Sequence, residues 1–207
     1  MKDKKRLIIL IVVIVITLII CGIIIHSYLK EDNSSPAVPE VVVTNNIDKY
    51  GYVLTDKDTD YYKELFGKLK NALNAEKMDE ELYASLVGQL FVTDFYTLDN
   101  KLSSSDVGGL QFILSDYKDN FALKAKDTMY KTVKSNLYND RKQDLPIVSK
   151  ASVDSVTKTT YKYGDVTDSN AYSVSVTVTY ETDMGYPKSV KVVLVHNNDK
   201  LEIAKVS

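Results

Sequence analysis

The sequence predicts an α+β domain carried behind a single membrane span, with helices packed on a four-stranded antiparallel sheet. Three observations lead there. An uncharged apolar run fills residues 7–25, directly after Lys2, Lys4, Lys5 and Arg6. Beyond it, apolar residues recur at intervals of three and four as far as Pro146, and from Ile147 the interval changes to two. Helices first and strands second on one chain is the α+β pattern.

The nineteen residues Leu7 to Ile25 reach about 28 Å as a helix, close to the roughly 30 Å of bilayer hydrocarbon. Residues 1–6 are then a basic cytoplasmic tail and everything after Lys30 lies outside, so the chain is expected in the cell membrane as a single-pass protein. A cleaved signal peptide is the alternative, but the apolar run is long for one and no small-x-small site follows it in His26-Ser27-Tyr28-Leu29-Lys30. Cys21 closes Leu18-Ile19-Ile20 as an acylated lipoprotein cysteine does, yet Ile20 is not small and apolar residues continue past it. It reads as a lipid-facing residue and, as the only cysteine, forms no intrachain disulfide.

Residues 26–58, with Pro36, Pro39 and the polar Asn33-Ser34-Ser35, read as an extracytoplasmic tether, in which Val41–Val43 and Tyr50–Leu54 are short enough for edge strands. The domain proper is expected over 59–207. Its helical half, 59–146, starts at Asp58-Thr59-Asp60 with Tyr61, Tyr62, Leu65, Phe66, Leu69 and Leu73 on one stripe. A second helix starts at Asp79, with Glu80 and Glu81 in the first turn where the dipole favours acids. It carries Leu82, Tyr83, Leu86, Val87, Leu90 and Phe91 inward as far as about Leu98. After a polar loop, Asp106-Val107-Gly108-Gly109 opens a short apolar helix to Leu114. Ser115-Asp116 opens a long one to about Tyr138, with Phe121, Ala125, Met129, Val133 and Leu137 as its inner stripe.

The sheet half, 147–207, is built around Tyr172, Val174, Val176, Val178 and Tyr180, which alternate with Ser173, Ser175, Thr177 and Thr179: one face buried, one wet. Strands over about 149–163, 188–196 and 200–206 complete a meander, with turns at 164–170, 183–187 and 197–199.

Residues 1–30 hold five of the 26 basic and one of the 28 acidic residues, so 21 and 27 remain beyond, a net charge of about −6. That argues against a general nucleic-acid binder, which needs a positive surface against phosphate. Beyond Lys30 there is one histidine, His196, and no cysteine, so His/Cys zinc sites are excluded and no Ser-His-Asp set is expected unless His196 serves. No catalytic, cofactor or metal residues are assigned. His196 shares parity with Val190, Val192 and Leu194 and reads as a strand-end residue half packed on the core.

Asp94 stands out. On a helical wheel it falls inside the half filled by Leu82, Leu86, Leu90, Tyr83, Val87 and Phe91. Burying that acid alone costs several kcal/mol, so it needs a partner. Three are available: Lys126 on the inner side of the long helix, Arg141 just beyond it, and the free amides at Asp106 to Gly109. Gly108 and Gly109 form a weak anion-site candidate and more simply read as a close backbone approach. Residues 117–142 hold seven Lys or Arg against three Asp, and Lys124 and Lys131 point away from the stripe. With Tyr172 and Tyr180 they form the candidate contact surface.

The order of one span, a tether, helices and a four-stranded meander over residues 59–207 resembles membrane-anchored domains of the nuclear transport factor 2-like (cystatin-like) fold, including scaffold subunits of type IV secretion and conjugation machines. The stretch Phe91-Val92-Thr93-Asp94-Phe95-Tyr96-Thr97-Leu98 followed by Asp106-Val107-Gly108-Gly109 also resembles uncharacterised anchored proteins of low-GC Gram-positive bacteria. The resemblance implies a bacterial envelope address and a cone-shaped domain. The expected function is a non-enzymatic scaffold that binds another envelope protein or a copy of itself. The alternatives are a small-molecule or sensing domain, with a cavity between sheet and helices anchored by Asp94, and an enzyme using Asp94 as a base.

Overall fold

The structure is a computed structural model and describes residues 40–207. The expected tail, span and first part of the tether, residues 1–39, lie outside the described residues. No helix among the described residues is long and apolar enough to cross a membrane.

Folding begins before residue 59. Strands β1 (Val43–Ile47) and β2 (Tyr52–Thr55) pair antiparallel as a separate ribbon, turned by a short 3-10 segment that ends at Gly51 with φ +64°. The second half of the expected tether thus belongs to the domain, because Ile47, Tyr50, Tyr52 and Leu54 are buried in its core. The Tyr52 hydroxyl meets the Tyr83 hydroxyl at 2.8 Å, and Tyr83 also accepts from Leu201 N–H. Three segments distant in sequence are joined by that buried pair, and burial pushes the Tyr83 phenol up to about 12.

Helices α1 (Asp60–Leu73) and α2 (Glu80–Tyr96) start where the capping residues say. Thr59 Oγ1 accepts from Tyr62 N–H, and Asp79 Oδ1 accepts from both Glu81 and Leu82 N–H. The inner side of α2 is broader than a half-wheel: Ala84, Val92, Thr93, Phe95 and Tyr96 are buried as well, while Leu82, expected inside, is 46% exposed at the first turn. The long helix expected over 115–138 is shorter. A 3-10 turn at Ser115–Tyr117 leads into α3 (Lys118–Asp127), which stops at Thr128. Thr128 turns its hydroxyl back onto Lys124 C=O, and the chain tightens so that Tyr130 N–H reaches Ala125 C=O. Tertiary packing wins there over helical periodicity, since the turn delivers Tyr130 to a fully buried position.

Strands β3 (Val148–Tyr163), β4 (Val166–Tyr180), β5 (Ser189–Asn197) and β6 (Lys200–Val206) form the expected antiparallel meander in sequential order. The first turn is tighter than expected. Tyr163 pairs with Val166 around Gly164 (φ +53°), so β4 starts six residues early. The long β3–β4 hairpin brings Tyr161 and Tyr163 onto a second cluster of Leu114, Ala171, Val193 and Val195 on the sheet's far face. Part of the face expected to be wet is therefore covered, and Ser173 is buried. Glu202, also buried, accepts from Ser115 N–H and Asn197 Nδ2 and fastens the 113–117 segment along β6.

α2 lies on the sheet at Gly88, where an added Cβ stands 3.2 Å from Val174 Cγ1 and 3.5 Å from Val192 Cγ2. A branched side chain has no room. Gly88→Ile is expected to cost about 1–3 kcal/mol by separating helix and sheet. Gly67→Ala on the exposed face of α1, where an added Cβ meets nothing within 4 Å, is expected to gain about 0.5–1 kcal/mol. Urea unfolding followed by circular dichroism separates the two; equal effects would show that α2 does not rest on Gly88.

Candidate functional site

Asp94 sits in the last full turn of α2 with its side chain 15% exposed, aimed inward as the wheel requires. Its partner is none of the two basic residues expected. Lys101, from the loop after α2, places Nζ 2.5 Å from Asp94 Oδ1 and is itself buried. The other oxygen, Oδ2, accepts from Gly109 N–H at 2.6 Å, which is one of the backbone amides the sequence offered. Lys126 is exposed on α3. Arg141 instead donates to the carbonyls of Asp99, Lys101 and Lys134, holding the loop that presents Lys101 without touching the carboxylate.

The two glycines serve the close approach. A Cβ on Gly108 would stand 2.4 Å from Asp94 O, and one on Gly109 (φ +75°) would stand 2.7 Å from the Phe91 ring. The Tyr130 hydroxyl accepts from Gly108 N–H and donates to Phe95 C=O, clamping the glycine loop onto the end of α2. Neither glycine amide is free for an anion, because Tyr130 and Asp94 already occupy them.

This knot forms the floor of a cleft of about 220 Å³ between the ribbon and the glycine loop. Its walls include Val41, Val53 and Thr55 from the ribbon side, Val107 and Leu110 from the loop, and the polar Lys57, Asp58, Asn100 and Asp106. Asp106 Oδ2 accepts from Leu102 N–H, and Asp58 Oδ2 accepts from Thr55 N–H and Oγ1. Burial pushes the Asp58 carboxyl up against the lowering by Thr55 N–H, and the nearby Asp94 charge adds to the rise. The space between α2 and the sheet, by contrast, is filled by Val87, Leu90, Phe91, Val174, Val176 and Val192, all fully buried. No cavity forms in that space; one cleft lies beside Asp94 at the helix end, and another of about 290 Å³ lies between α3 and β6, lined by Tyr117, Phe121, Ile203 and Ala204.

A second polar group lies at the end of β5. His196 Nδ1 is 2.8 Å from Asp168 Oδ2, the same oxygen that accepts from His196 N–H, and Nε2 is 3.8 Å from Glu80 Oε1. Burial opposes ionisation of Asp168, but the His196 amide, the His196 ring and the Asn170 N–H overcome it and hold that carboxyl low. An aspartate orienting an imidazole is acid-base geometry. Among the described residues no hydroxyl or thiol hydrogen-bonds Nε2, and no group of three or more metal-ligating side chains occurs. Asp168, which the sequence reading placed in a turn, supplies the one contact there that periodicity could not show.

The expected contact surface divides. Lys124 and Lys131 are exposed, whereas Tyr172 and Tyr180 are 1% and 9% exposed and face inward. Tyr172 donates to Glu80 Oε2 and Tyr180 to Pro187 C=O, so neither ring is offered to a partner. Compared with known protein families, with curated proteins and with solved structures, the chain matches none.

Two outcomes test this site. Lys101→Met strands a buried carboxylate and is expected to cost about 3–5 kcal/mol in urea unfolding. Adding Asp94→Asn recovers part of it, because the amide oxygen still accepts from Gly109 and no charge is stranded; no recovery would mean that Lys101 acts through packing alone. Asp58 gives a pH signature. Its folded pKa lies above the unfolded value of about 3.9, so its contribution is fully present below that value and is lost as pH rises through the folded pKa. Asp58→Asn, which does not titrate, is therefore expected to raise the melting temperature relative to wild type more at pH 7 than at pH 3.5. A difference that does not change with pH would remove the burial argument.

Proposed function

We propose that the chain is a single-pass membrane protein whose domain stands outside the bacterial cell membrane and works as a non-enzymatic scaffold through protein contacts. The basic tail and the apolar run of residues 7–25 support the address. The sequential meander under α2, with a long curling first hairpin, supports a cone of the nuclear transport factor 2-like kind.

The observation that carries the scaffold reading is the ribbon. Val43 and Val53 on the two-stranded sheet are 56% and 38% exposed, and Val41 and Val42 just before it are 45% and 53% exposed, a local run of apolar side chains. The outer edge of β2 is closed by Gln111, whose amide accepts from Val53 N–H and donates to Val53 C=O. The outer edge of β1 has no strand partner among the described residues. An open edge beside exposed valines is the requirement for adding a strand from another chain, with the backbone providing affinity and alternate side chains providing choice.

Photocrosslinking of the full-length protein in intact cells tests it. Probes at Val42 and Asn45 are expected to give one discrete protein adduct, a probe at Lys131 none, and Val42→Asp to abolish the adduct. Equal adducts from Lys131, or none from the ribbon, would refute the ribbon as the contact surface.

A further inference from the structure

The cleft beside Asp94 holds one feature that neither the fold nor a scaffold role uses. Lys57, in the loop between β2 and α1, has a fully buried Nζ with no hydrogen-bond partner among the described residues, Asn100 Oδ1 is likewise buried and unpartnered, and both residues line the cleft. The acids flanking Lys57 in sequence each turn one oxygen to another donor, Asp56 Oδ1 to Val42 N–H and Asp58 Oδ2 to Thr55, and neither forms an ion pair with Lys57. Lys101, the other ammonium there, is spent on Asp94. Asn100 cannot relieve its oxygen by flipping, because its Nδ2 already donates to Lys57 C=O. A buried ammonium without a counter-ion and a buried acceptor without a donor are each costly, and finding both in one cleft points to something that fills both.

We propose that the cleft binds a free α-amino acid as its zwitterion. The α-carboxylate supplies the negative charge that Lys57 lacks, a demand that a neutral hydroxyl or amide meets poorly. The α-ammonium donates to Asn100 Oδ1 and to the Oδ1 atoms of Asp58 and Asp106, two residues that line the cleft and whose other oxygen, Oδ2, is the one already bonded. Three carboxylates against two ammonium groups leave the lining net negative, so a simple anion is disfavoured and a ligand carrying both charges is matched. Val53, Val107 and Leu110 provide apolar walls for a small or branched aliphatic side chain, and about 220 Å³ limits its size. This site is independent of the scaffold reading and stands or falls apart from it.

Isothermal titration of the full-length protein in detergent tests it, with L-valine, N-acetyl-L-valine (carboxylate only), L-valinamide (ammonium only) and sodium phosphate as probes at up to about 10 mM. L-valine is expected to bind, each half-ligand at least about tenfold more weakly, and phosphate not at all. Lys57→Met is expected to lose at least about tenfold in affinity for L-valine while melting at the wild-type temperature or above, since it removes an unpaired buried charge. Val53→Trp, which fills the cleft from a surface position, is expected to weaken binding with the fold intact. Phosphate or N-acetyl-L-valine binding as tightly as L-valine would reduce the site to an anion site. No heat with any probe, undiminished binding in Lys57→Met, or a lowered melting temperature in that variant would overturn the proposal.

Discussion

The fold depends on one constraint: α2 is buried on nearly every side, so each polar group it carries has to be satisfied inside the protein. Gly88 lets it lie against Val174 and Val192, and α1 covers it from the other side. Gln89 Nε2 then donates to Ala151 C=O at the outer edge of β3, where the Tyr61 hydroxyl accepts from Ala151 N–H. Thr93 folds its hydroxyl back onto Gln89 C=O. Tyr83 near one end joins the ribbon to β6, and Asp94 near the other end draws in Lys101 and Gly109. The loops are thus placed by what the helix needs, and the cleft is a by-product of where those loops had to go.

Two lysines in that cleft show the difference between a structural and an available charge. Lys101 and Asp94 are both nearly excluded from water, and such a pair persists only if its remaining valences are met. Gly109 meets one of them, and Arg141 holds the loop carbonyl of Lys101 itself. Lys57 has no such arrangement, although it lines the same cleft and sits between two aspartates in sequence. Proximity along the chain does not neutralise a charge; orientation does, and both neighbouring carboxylates are turned to backbone amides.

Where local periodicity and capping decide an element, the sequence predicted it well. Thr59 and Asp79 open their helices, and the alternation from Tyr172 to Tyr180 identifies the central strand and its buried face. What it mislaid follows from tertiary geometry. Thr128 ends α3 because Tyr130 has to reach Phe95 and Gly108, a demand no helical wheel contains. Asp94 was legible as an inward acid and the glycine amides as partners. Lys101 was not, because a wheel ends with the helix and Lys101 lies in the loop beyond it. Tyr172 and Tyr180 were legible as one face of a strand, but composition alone made that face a contact surface when it is the core. Asp168 went unseen because two residues at Gly164 suffice for a turn that the sequence reading spread over seven.

The ribbon is one wall of the cleft as well as the open edge, and that shared position ties the two proposals together physically. Val41, Val53 and Thr55 line the cleft, while β1 on the ribbon's other side has a free edge. Only one core contact of the ribbon is a strong polar tie, the Tyr52–Tyr83 pair, and the backbone of Val53 is held by a side chain, Gln111, instead of a strand. A ligand that joined Lys57 to the glycine loop would add a bridge between ribbon and body. A partner docking on β1 would bind the same element, and only where one occupant changes how the ribbon is held do the two affinities change, by linkage, by the same factor. The sign is set by whether the docked strand needs the ribbon held or free: a ligand that orders the ribbon lowers the entropy cost for a partner that engages the ordered form and raises it for one that needs the ribbon free.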